Sequence, residues 1–589
     1  MIKKLSAYIG EYKIQTILTP VFVMLEVIMD IGIPLIMADL IDQGIEQGNM
    51  NVILKYGVLL LAAALLALLF GALSGRTAAV ASNGFAKNLR QAMYYKVQEY
   101  SFSNIDHFST ASIVTRLTTD VSNVQMAFQM LTRVAVRSPG MLIFSFAAAY
   151  KIDPKMCLIF LGNIPVLLIG LAFIMKFVHP IFNRVFKNYD KLNNVVQENL
   201  YAVRVVKSFN RQNFETEKFQ TMSGGIYKDF VKAEKMMAFV SPLMQLCMYT
   251  CILLISWIGA KAVIASGNNP DLGLSTGELM SLVTYTMQIL MSLMMLGMIF
   301  MMLTMARAAG NRIVEILEEE SDITTPENPV MEVADGSVVF EHVDFAYKKG
   351  EGHTGRNALN DINLNIASGE TVGILGGTGS SKSTLVQMIP RLYDVTSGSV
   401  KVGGVDVRYY DLEVLRKQVA MVLQKNVLFS GTIKENLRWG AADATDEEIQ
   451  RVCRLACADE FISQMPDGYD SHIEQGGTNV SGGQRQRLCI ARALIAKPKI
   501  LILDDSTSAV DMKTDAMIRK AFAEEIPDTT KIIIAQRVAS VQDADKIVVL
   551  DDGRIAAVGT HEELLVSSDI YREVYESQNK TTLGEGGAA

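Results

Sequence analysis

The sequence is poor in the residues that build metal centres and disulfide frameworks. Its 589 residues include six cysteines and six histidines, and Cys453 and Cys457 are among the cysteines. No Cys/His cluster has the spacing of a zinc site. We therefore expect the cysteines to be reduced. Cys453 and Cys457, four residues apart, are expected to be ordinary helix residues.

The sequence also lacks a basic stripe interleaved with aromatic residues, and its formal net charge is −7. Nucleic-acid binding requires such a stripe, so nucleic acid is not expected as a partner. Long apolar runs are missing after about Ala306, although half of all residues are hydrophobic. Since the chain is too long for one core, it is predicted to divide into a membrane-like first half and a soluble-like second half.

Six apolar segments in the first half are long enough to cross a bilayer as helices. They lie near 15–40, 52–73, 134–150, 156–178, 236–265 and 279–305. The connections after the second and fourth segments are long, rich in Lys and Arg, and helical in their apolar periodicity. The positive-inside bias places these connections and both termini in the cytoplasm. The basic amphipathic N-terminus lacks a cleavage site and is predicted to remain as an elbow helix on the membrane surface.

A polar, proline-bearing stretch follows the last apolar segment and is predicted to be a linker. Beyond it, short β-branched runs such as "TVGIL", "KILILDD" and "KIIIAQ" alternate with helical stretches, which predicts an α/β domain with a largely parallel sheet. The predicted divisions are a transmembrane domain at 1–320, a linker at 321–329, an α/β domain at 330–577 and a disordered tail at 578–589.

The stretch "TVGILGGTGSSKST" runs from a predicted buried strand into a helix and matches the phosphate-binding pattern G-x-x-x-x-G-K-[ST] at all positions but one. The residues concerned are Gly376, Gly377, Thr378, Gly379, Ser380, Ser381, Lys382, Ser383 and Thr384. Backbone N–H groups here can cradle phosphate, Lys382 can reach the β- and γ-phosphates, and Ser383 can hold Mg²⁺. Ser381 replaces the second glycine and is expected to weaken or reshape the cradle without abolishing it. The alternative, an ordinary glycine-rich turn, is disfavoured by the correctly spaced Lys-Ser pair.

About a hundred residues later, "NVSGGQRQRLCIARAL" precedes an apolar run that ends at Asp504, where a carboxylate can hold Mg²⁺ through water. Together these stretches resemble the ATP-binding cassette (ABC) family, in the layout of a half-size exporter. Further matches are Tyr347 to the adenine-stacking aromatic, Gln424 to the Q-loop, Ser481, Gly482, Gly483 and Gln484 to the signature motif, and Ser508 to Asp511 to the D-loop. The resemblance implies ATP and Mg²⁺ as cofactors, with Ser383, Gln424 and Asp504 around the metal.

Two positions that are catalytic in the family differ in this sequence. Asp505 stands where the family has a water-polarising Glu, and its carboxylate is shorter by one C–C bond of about 1.5 Å. Gln536 stands where the family has a switch histidine, and an amide cannot carry a proton. Losing a general base typically costs on the order of 10² to 10⁴ in rate.

The resemblance implies that two cassettes dimerise head to tail, so that each ATP lies between one chain's Walker motifs and the other's signature. We call the nucleotide-binding residues of this chain outside the signature motif its Walker side. The Walker side departs from the family pattern at Ser381, Asp505 and Gln536, whereas the signature has no departure. The interpretation is one subunit of a heterodimeric exporter in the cytoplasmic membrane. Its fold would be an α-helical membrane domain with six transmembrane helices followed by an α/β P-loop nucleotide-binding domain.

In this interpretation the partner is a second half-transporter with an intact Walker B Glu and switch His. Its site would hydrolyse most of the ATP, while this chain's Walker side holds ATP at a slow site. Substrates would be hydrophobic or amphiphilic drugs, lipids or peptides moved out across the membrane. The alternative is a nucleotide-gated regulatory or structural membrane protein, a homodimer that binds ATP without pumping.

Three features of the membrane half have open interpretations. Glu26 and Asp30 share a helix face in the first span and would either capture a cationic substrate or lie near a water-filled vestibule. The methionines of the sixth span suit a cavity for varied hydrophobic substrates, or simply fill lipid-facing and core positions. They are Met280, Met287, Met291, Met294, Met295, Met298, Met301, Met302 and Met305. By resemblance, coupling helices are expected around Asp106 to Ser112 and Ser208 to Asn213.

Overall fold

The computed structural model describes residues 2–268, 273–347, 357–505 and 510–584. The chain forms two compact units. The first consists of Met1–Val97 and Ile113–Glu318, and the second of Gln98–Ser112 and Glu319–Ala589. A short segment from the first long connection thus belongs to the same unit as the C-terminal half.

The first unit is helical. Its long helices are Lys13–Asp39, Met50–Gln98, Val121–Ile152, Pro154–Tyr201, Val240–Ser266 and Thr276–Glu318. Shorter helices are Ile2–Ser6, Thr110–Thr115, Val203–Ser208 and Gln212–Met237, with 3₁₀ or π turns at Ala7–Tyr12, Leu40–Ile45 and Arg116–Asp120. The 49 residues of Met50–Gln98 extend about 70 Å, more than twice the thickness of a bilayer core. This helix, like the other very long ones, is therefore longer than one crossing of a bilayer requires.

Among the described residues, five helical segments are long and apolar enough to cross a membrane. They are Lys3–Ile45, Met50–Gln98, Pro154–Tyr201, Gln212–Ser266 and Thr276–Ile299. The helix Val121–Ile152 forms where a further span is expected, but Arg133, Arg137 and Pro139 reduce its mean hydropathy. The long helices pack through buried apolar side chains that include Val27, Phe160, Ile255 and Tyr285.

The second unit contains two main sheets and one short pair of strands. A six-stranded sheet has the order Arg554–Gly559, Lys546–Asp551, Thr371–Gly376, Thr530–Ile534, Ile500–Asp504 and Val419–Val422. All neighbouring pairs in it are parallel except the first. An antiparallel sheet has the order Leu359–Ile366, Val338–Phe345, Ser397–Val402 and Val405–Asp406, and Gly431–Thr432 pairs with His472–Ile473. The predicted α/β domain with a largely parallel sheet is confirmed.

Inner strands of the six-stranded sheet are covered on both faces. The strands Ile500–Asp504 and Thr530–Ile534 are buried at every residue, as expected for parallel strands between two layers. The helices of this unit are Phe102–Phe108, Lys382–Gln387, Leu412–Gln418, Ile433–Arg438, Asp446–Leu455, Asp459–Ile462, Gly482–Leu494, Met512–Glu525, His561–Ser567 and Asp569–Gly584. Short 3₁₀ turns lie at Val407–Tyr409, Gly468–Asp470, Gln475–Gly477 and Val538–Ser540.

The order of the strands decides where the polar residues meet. Thr371–Gly376 and Ile500–Asp504 both pair in parallel with Thr530–Ile534, which lies between them. The segments that follow the carboxyl ends of these strands therefore emerge at one edge of the sheet, where open α/β sheets bind ligands.

The last helix, Asp569–Gly584, overlaps the segment predicted to be a disordered tail. Within this helix Gln578 is hydrogen-bonded to the rest of the unit: its Nε2 donates to the carbonyl of Gln536 at 2.8 Å, and its Oε1 accepts from the N–H of Val538 at 2.9 Å. Residues 585–589 lie outside the described residues.

Candidate functional site

The phosphate-binding loop joins the strand Thr371–Gly376 to the helix Lys382–Gln387. Two of its residues have left-handed backbones, Gly379 with φ 86° and Ser381 with φ 68°. Glycine adopts this conformation without cost, whereas for other L-residues it costs roughly 1–2 kcal/mol. Ser381 is therefore strained in the backbone, and its side chain makes no capping hydrogen bond to the helix that it precedes.

The loop is open where phosphate would lie. A Cβ added at Gly377 would meet no atom within 4 Å, whereas one at Gly376 would lie 2.3 Å from the carbonyl oxygen of Leu550. Gly376 is thus required by packing against the neighbouring strand. Gly377 keeps its backbone accessible.

Lys382 lies over this loop. Its Nζ donates to the carbonyls of Gly376 at 2.9 Å and Gly377 at 2.7 Å, and to Ser380 Oγ at 3.3 Å. Burial lowers the pKa of the Lys382 ammonium, against the raising effect of the two neighbouring carboxylates Asp505 and Asp504. The lysine is a cation held at the loop by carbonyl oxygens.

Ser383 and Asp504 meet as the pattern predicts for a metal site. Ser383 Oγ donates to Asp504 Oδ1 at 3.0 Å. Burial raises the pKa of the Asp504 carboxyl, partly opposed by this hydrogen bond. Hard oxygen donors of this kind suit Mg²⁺, which binds proteins through one or two such groups together with substrate phosphates. No cluster of three or more His, Cys, Asp or Glu side chains suited to a metal occurs among the described residues.

Asp505, at the position of the expected base, is surrounded by amide groups. Its Oδ2 accepts from Gln536 Nε2 at 3.0 Å and lies 3.5 Å from Gln424 Nε2. Its carbonyl accepts from Gln486 Nε2 at 3.2 Å, and its N–H donates to Ile534 O at 3.1 Å. The structure therefore brings Gln424, Asp505 and Gln536 together, and it adds Gln486.

Gln486 was not identified from the sequence, although it lies two residues beyond the signature. Its side chain is buried, and it links the helix Gly482–Leu494 to the turn after Asp504. A polar residue on the apolar side of an amphipathic helix was the available signal, because such a residue needs a hydrogen-bond partner.

The aromatic residue expected to stack on adenine is half-buried. Tyr347 OH forms a 2.9 Å hydrogen bond with Oγ1 of Thr384, in the first turn of the phosphate-loop helix. Burial raises the pKa of the Tyr347 phenol. The adenine side and the phosphate side of the expected nucleotide site are thus directly joined. Thr378 lies in the turn of the phosphate-binding loop.

The signature residues form the start of a 13-residue helix, Gly482–Leu494. Ser481 is the N-cap: its Oγ accepts from the N–H of Gln484 at 3.2 Å, and its own N–H donates to Gln484 Oε1 at 2.9 Å. Ser481 and Gly482 are exposed, and Gly483 is half-buried. A well-capped helix therefore presents its positive end at the surface, as required for binding an anion of another molecule.

The predicted D-loop, Ser508 to Asp511, is described only in part, because residues 506–509 lie outside the described residues. Asp511 caps the helix Met512–Glu525, with its Oδ1 accepting from the N–H of Thr514 at 2.9 Å and its Oδ2 from Thr514 Oγ1 at 2.7 Å.

In the membrane unit, Glu26 and Asp30 share one cation. Arg137 donates through Nη1 to Glu26, and through Nη2 to Asp30 Oδ2 at 2.8 Å. Ser74 Oγ also lies 3.4 Å from Glu26 Oε2, and Glu26 is buried. The cluster joins the helices Lys13–Asp39 and Val121–Ile152. Charged residues within membrane helices are typically paired in this way.

The methionines of the helix Thr276–Glu318 lie mostly opposite its buried side. Met280, Met287, Met291, Met294, Met295 and Met298 are between 39 and 62% exposed, whereas Leu282, Tyr285 and Ile289 are fully buried. Met302 is half-buried, and the side chains of Met301 and Met305 lie outside the description. Of the two expected coupling segments, the first, Asp106 to Ser112, overlaps the end of the helix Phe102–Phe108, in the second unit. The second follows the helix Val203–Ser208, in the first unit.

Comparisons with known proteins agree with this arrangement. Residues 16–294 match the ABC transporter transmembrane region, and residues 359–508 match the ABC transporter family. The chain is 35% identical over 576 residues to the ABC transporter ATP-binding protein YfiB of Bacillus subtilis, covering 98% of each. The chain belongs to the ABC transporter family.

Two further relatives of this ABC transporter are informative. It is 34% identical over 481 residues to YheI of Bacillus subtilis, named a probable multidrug resistance ABC transporter ATP-binding/permease protein, covering 81% of this chain and 80% of YheI. A solved bacterial Atm1-family ABC exporter with ATP bound superposes with a TM-score of 0.80 at 22% identity, covering 97% of this chain and 99% of the other. The fold is therefore that of an ABC exporter, a membrane protein whose cassette is an ATPase domain.

The residues of the cassette fit MgATP. Open backbone at Gly377, the ammonium of Lys382 and the oxygen donors Ser383 and Asp504 are the groups that phosphate and Mg²⁺ need. The half-buried Tyr347 offers an aromatic surface beside them.

Proposed function

We propose that this ABC transporter is one subunit of a heterodimeric, ATP-driven exporter. Its own Walker side holds MgATP at a slow or non-hydrolytic site, and its signature completes the hydrolytic site of a partner half-transporter that has a Walker B Glu and a switch His. Hydrolysis in the assembled transporter occurs mainly at the partner's site.

The observation that carries this proposal is the environment of Asp505. Its Oδ2 accepts from Gln536 at 3.0 Å, with the amide of Gln424 at 3.5 Å. A histidine at position 536 could accept and return a proton, whereas the amide of Gln536 can only orient the carboxylate. With the shorter Asp505 in place of Glu, the base and its proton-exchanging neighbour are both altered.

The other residues of the Walker side retain what nucleotide binding requires. Lys382 and the open loop backbone would bind phosphate oxygens, and Ser383 and Asp504 would hold Mg²⁺, which supplies charge neutralisation to the bound phosphates. Tyr347 would stack on adenine, and Gln424 would lie at the metal's side. A site that binds without efficient hydrolysis can keep the two cassettes together while the other site turns over.

The signature supports the second half of the proposal. Ser481, Gly482, Gly483 and Gln484 form an exposed, capped helix start with no departure from the family pattern. Such a helix start stabilises the phosphate of a nucleotide bound by another chain. Its integrity beside a Walker side with three departures is the asymmetry expected of a heterodimer.

The proposed cargo is hydrophobic or amphiphilic, and the proposed direction is outward across the cytoplasmic membrane, with both termini cytosolic. The exposed methionines of the helix Thr276–Glu318 supply a polarisable, adaptable apolar surface that suits varied ligands. The similarity to YheI, named a probable multidrug resistance transporter, supports the same class. Capture of a cationic substrate by Glu26 and Asp30 is disfavoured, because Arg137 already pairs with both carboxylates.

The test is to identify what co-purifies with the tagged full chain after gentle extraction from its native membrane, and to measure ATP hydrolysis and transport of a fluorescent amphiphilic dye by the isolated complex. We expect a stoichiometric second half-transporter with Glu and His at the positions of Asp505 and Gln536. Recovery of only this chain as a dimer with full turnover would contradict the heterodimer. Recovery of a homodimer that binds ATP without turnover would instead favour a nucleotide-gated regulatory protein.

A further inference from the structure

A cluster of aromatic rings lies between the expected adenine-binding residue and the short helix Phe102–Phe108, which we name the coupling helix. Tyr393 is at its centre. The ring centroid of Tyr393 lies 5.4 Å from that of Tyr347, 5.6 Å from that of Phe345 and 6.1 Å from that of Phe102. All these separations are within the range of favourable aromatic pairing. A single side chain thus contacts both the nucleotide side of the cassette and the coupling helix.

Tyr393 also contacts the coupling helix through a polar bond. Its hydroxyl donates to Asp106 Oδ2 at 2.7 Å. Phe102 and Asp106 are four residues apart, so they share one face of the helix, and both meet the same tyrosine. Hydrogen bonds to a carboxylate are shorter and stronger than those between neutral groups. The tyrosine therefore contacts this helix face through both its ring and its hydroxyl.

The backbone around Tyr393 is rigidly held. Arg391 is 5% exposed, and its guanidinium makes two bonds to Asp394, at 2.8 and 3.0 Å, bracketing the tyrosine. Arg391 also donates to the carbonyl of Thr324 at 3.1 Å, and its own carbonyl accepts from Arg416 at 2.9 Å. Because this segment is fixed on both sides, a shift of the Tyr347 ring cannot be absorbed by a free loop.

The start of the coupling helix is held separately. Asp322 accepts from Ser101 Oγ at 2.5 Å and from Ser103 Oγ at 2.7 Å, and Asn104 Nδ2 donates to Glu319 Oε1 at 2.7 Å. These acceptors belong to the segment that leads into the cassette. The N-terminal end is thus tied to that segment, and the later turn that carries Asp106 is tied to Tyr393.

We propose that Tyr393 is a positioning residue that transmits occupancy of the nucleotide site from Tyr347 to the coupling helix, through the Phe102 ring and the Asp106 carboxylate. The route begins at Tyr347, whose hydroxyl bonds to Thr384 of the phosphate-loop helix at 2.9 Å. A nucleotide that orders the Tyr347 ring would also fix the position of the Tyr393 ring that packs against it. The orientation of the coupling helix, which contacts Tyr393, would be fixed in turn. This inference rests on the proposed binding of ATP at Tyr347.

The test is hydrogen exchange on the full-length transporter, with and without saturating Mg²⁺ and the non-hydrolysable analogue AMP-PNP, together with a fluorescence measurement of the analogue's Kd. In the unmodified protein the nucleotide should slow exchange of amides in the coupling helix. Tyr393→Leu should reduce this effect roughly fivefold or more, the lower end of typical coupling factors, while the Kd changes less than about twofold. Tyr409→Leu, which alters an exposed tyrosine of the same domain, should behave as unmodified protein.

Two milder variants separate the hydrogen bond between Tyr393 and Asp106 from the ring contacts of Tyr393. Tyr393→Phe and Asp106→Asn should each give an intermediate loss, and their combination should equal either one alone because both weaken the same bond. Asp106→Asn also tests the route from the helix side if Tyr393→Leu fails to fold. The proposal would be overturned if nucleotide slowed exchange in the coupling helix of Tyr393→Leu as much as in the unmodified protein. A loss of nucleotide affinity as large as the loss of this exchange effect would also overturn it. Absence of AMP-PNP binding to the unmodified chain would instead overturn the proposed nucleotide site, and nucleotide binding without any response of the coupling helix would overturn this inference alone.

Discussion

The two helices that this chain offers to phosphate both begin after a serine, but the two serines differ in conformation. Ser481 precedes the signature helix with an extended backbone, φ −66° and ψ 161°, and forms a reciprocal capping box with Gln484. Ser381 precedes the phosphate-loop helix with a left-handed backbone, φ 68° and ψ 25°, and makes no capping bond. One start is stabilised by its serine and the other is strained by it.

The same contrast extends to the chemistry around each helix. The signature side keeps its whole motif, and Gln486 anchors it to the turn after Asp504. On the Walker side the expected binding groups match the family pattern, whereas Gln536 stands in place of the switch histidine and Asp505 in place of the glutamate. In the proposed heterodimer, the part needed by the partner's site matches the family pattern, whereas the part that would act in this chain's own site departs from it. The comparison therefore predicts unequal effects of matched substitutions on the two sides.

The largest predicted effect is on the signature side. Gly482→Asp places a carboxylate at the exposed helix start, where it would repel a phosphate, and we expect ATP turnover of the assembled transporter to fall by at least about 100-fold. Lys382→Ala, the matched change on the Walker side, should reduce turnover less than about threefold. Both are measured as steady-state phosphate release by the purified complex. Equal losses in the two variants would contradict the asymmetry.

Restoring the family's residues at positions 505 and 536 should have the next largest effect on ATP turnover. In the chain purified alone, Asp505→Glu combined with Gln536→His should raise ATP turnover by roughly 10- to 100-fold, because a base and a proton-exchanging partner are regained. Each single change should give less than the pair. A chain that already turns over rapidly without these changes, or that gains nothing from them, would show that the departures do not limit hydrolysis.

Local patterns could predict much of this arrangement. The strand Ile500–Asp504 follows from an apolar run that ends in a carboxylate, and the approach of Ser383 to Asp504 follows from the phosphate-binding pattern and parallel strand order. The sequence could not give contacts between distant segments. Tyr393 and Asp106 are 287 residues apart, and no periodicity predicts their hydrogen bond.

Two other features could not be predicted from the sequence, for different reasons. Arg137 lies 111 residues from Glu26 and reduces the hydropathy of its own helix. The sequence alone therefore shows an unfavourable charge in an apolar helix but not the ion pair that compensates for it. Gln578 lies at the start of the predicted tail, yet it belongs to a helix and bonds to the backbone of Gln536 and Val538. In both cases a tertiary hydrogen bond outweighs what composition predicts.

A smaller effect concerns the buried carboxylate of the Walker side. The pKa of Asp504 is raised by burial above its ordinary value of 3.8, so the folded chain holds a proton there that the unfolded chain releases more readily. Its contribution to stability is therefore favourable in acid and is lost as the pH rises through the raised pKa. Asp504→Asn should stabilise the nucleotide-free chain by about 1 kcal/mol at neutral pH, with the gain shrinking towards acid.

Urea unfolding of the nucleotide-free chain across pH measures this difference. Asp504→Asn should at the same time abolish the Mg²⁺ dependence of AMP-PNP binding, because the amide no longer supplies a charged oxygen. Asp511→Asn is the matched control, since that exposed helix cap lies outside the proposed metal site. A stability gain that is independent of pH would show that the charge of Asp504 is not its cause.

The smallest predicted effect tests the two serines directly. Ser381→Gly removes left-handed strain of roughly 1–2 kcal/mol but gives the unfolded chain roughly 0.4–1 kcal/mol of extra entropy, so we expect a net stabilisation of about 0.5 kcal/mol. Ser481→Gly loses the capping box without relieving strain and should destabilise by a few tenths of a kcal/mol. The same substitution should therefore change the free energy of unfolding in opposite directions, and equal signs in urea titrations would mean that Ser381 is not strained in solution.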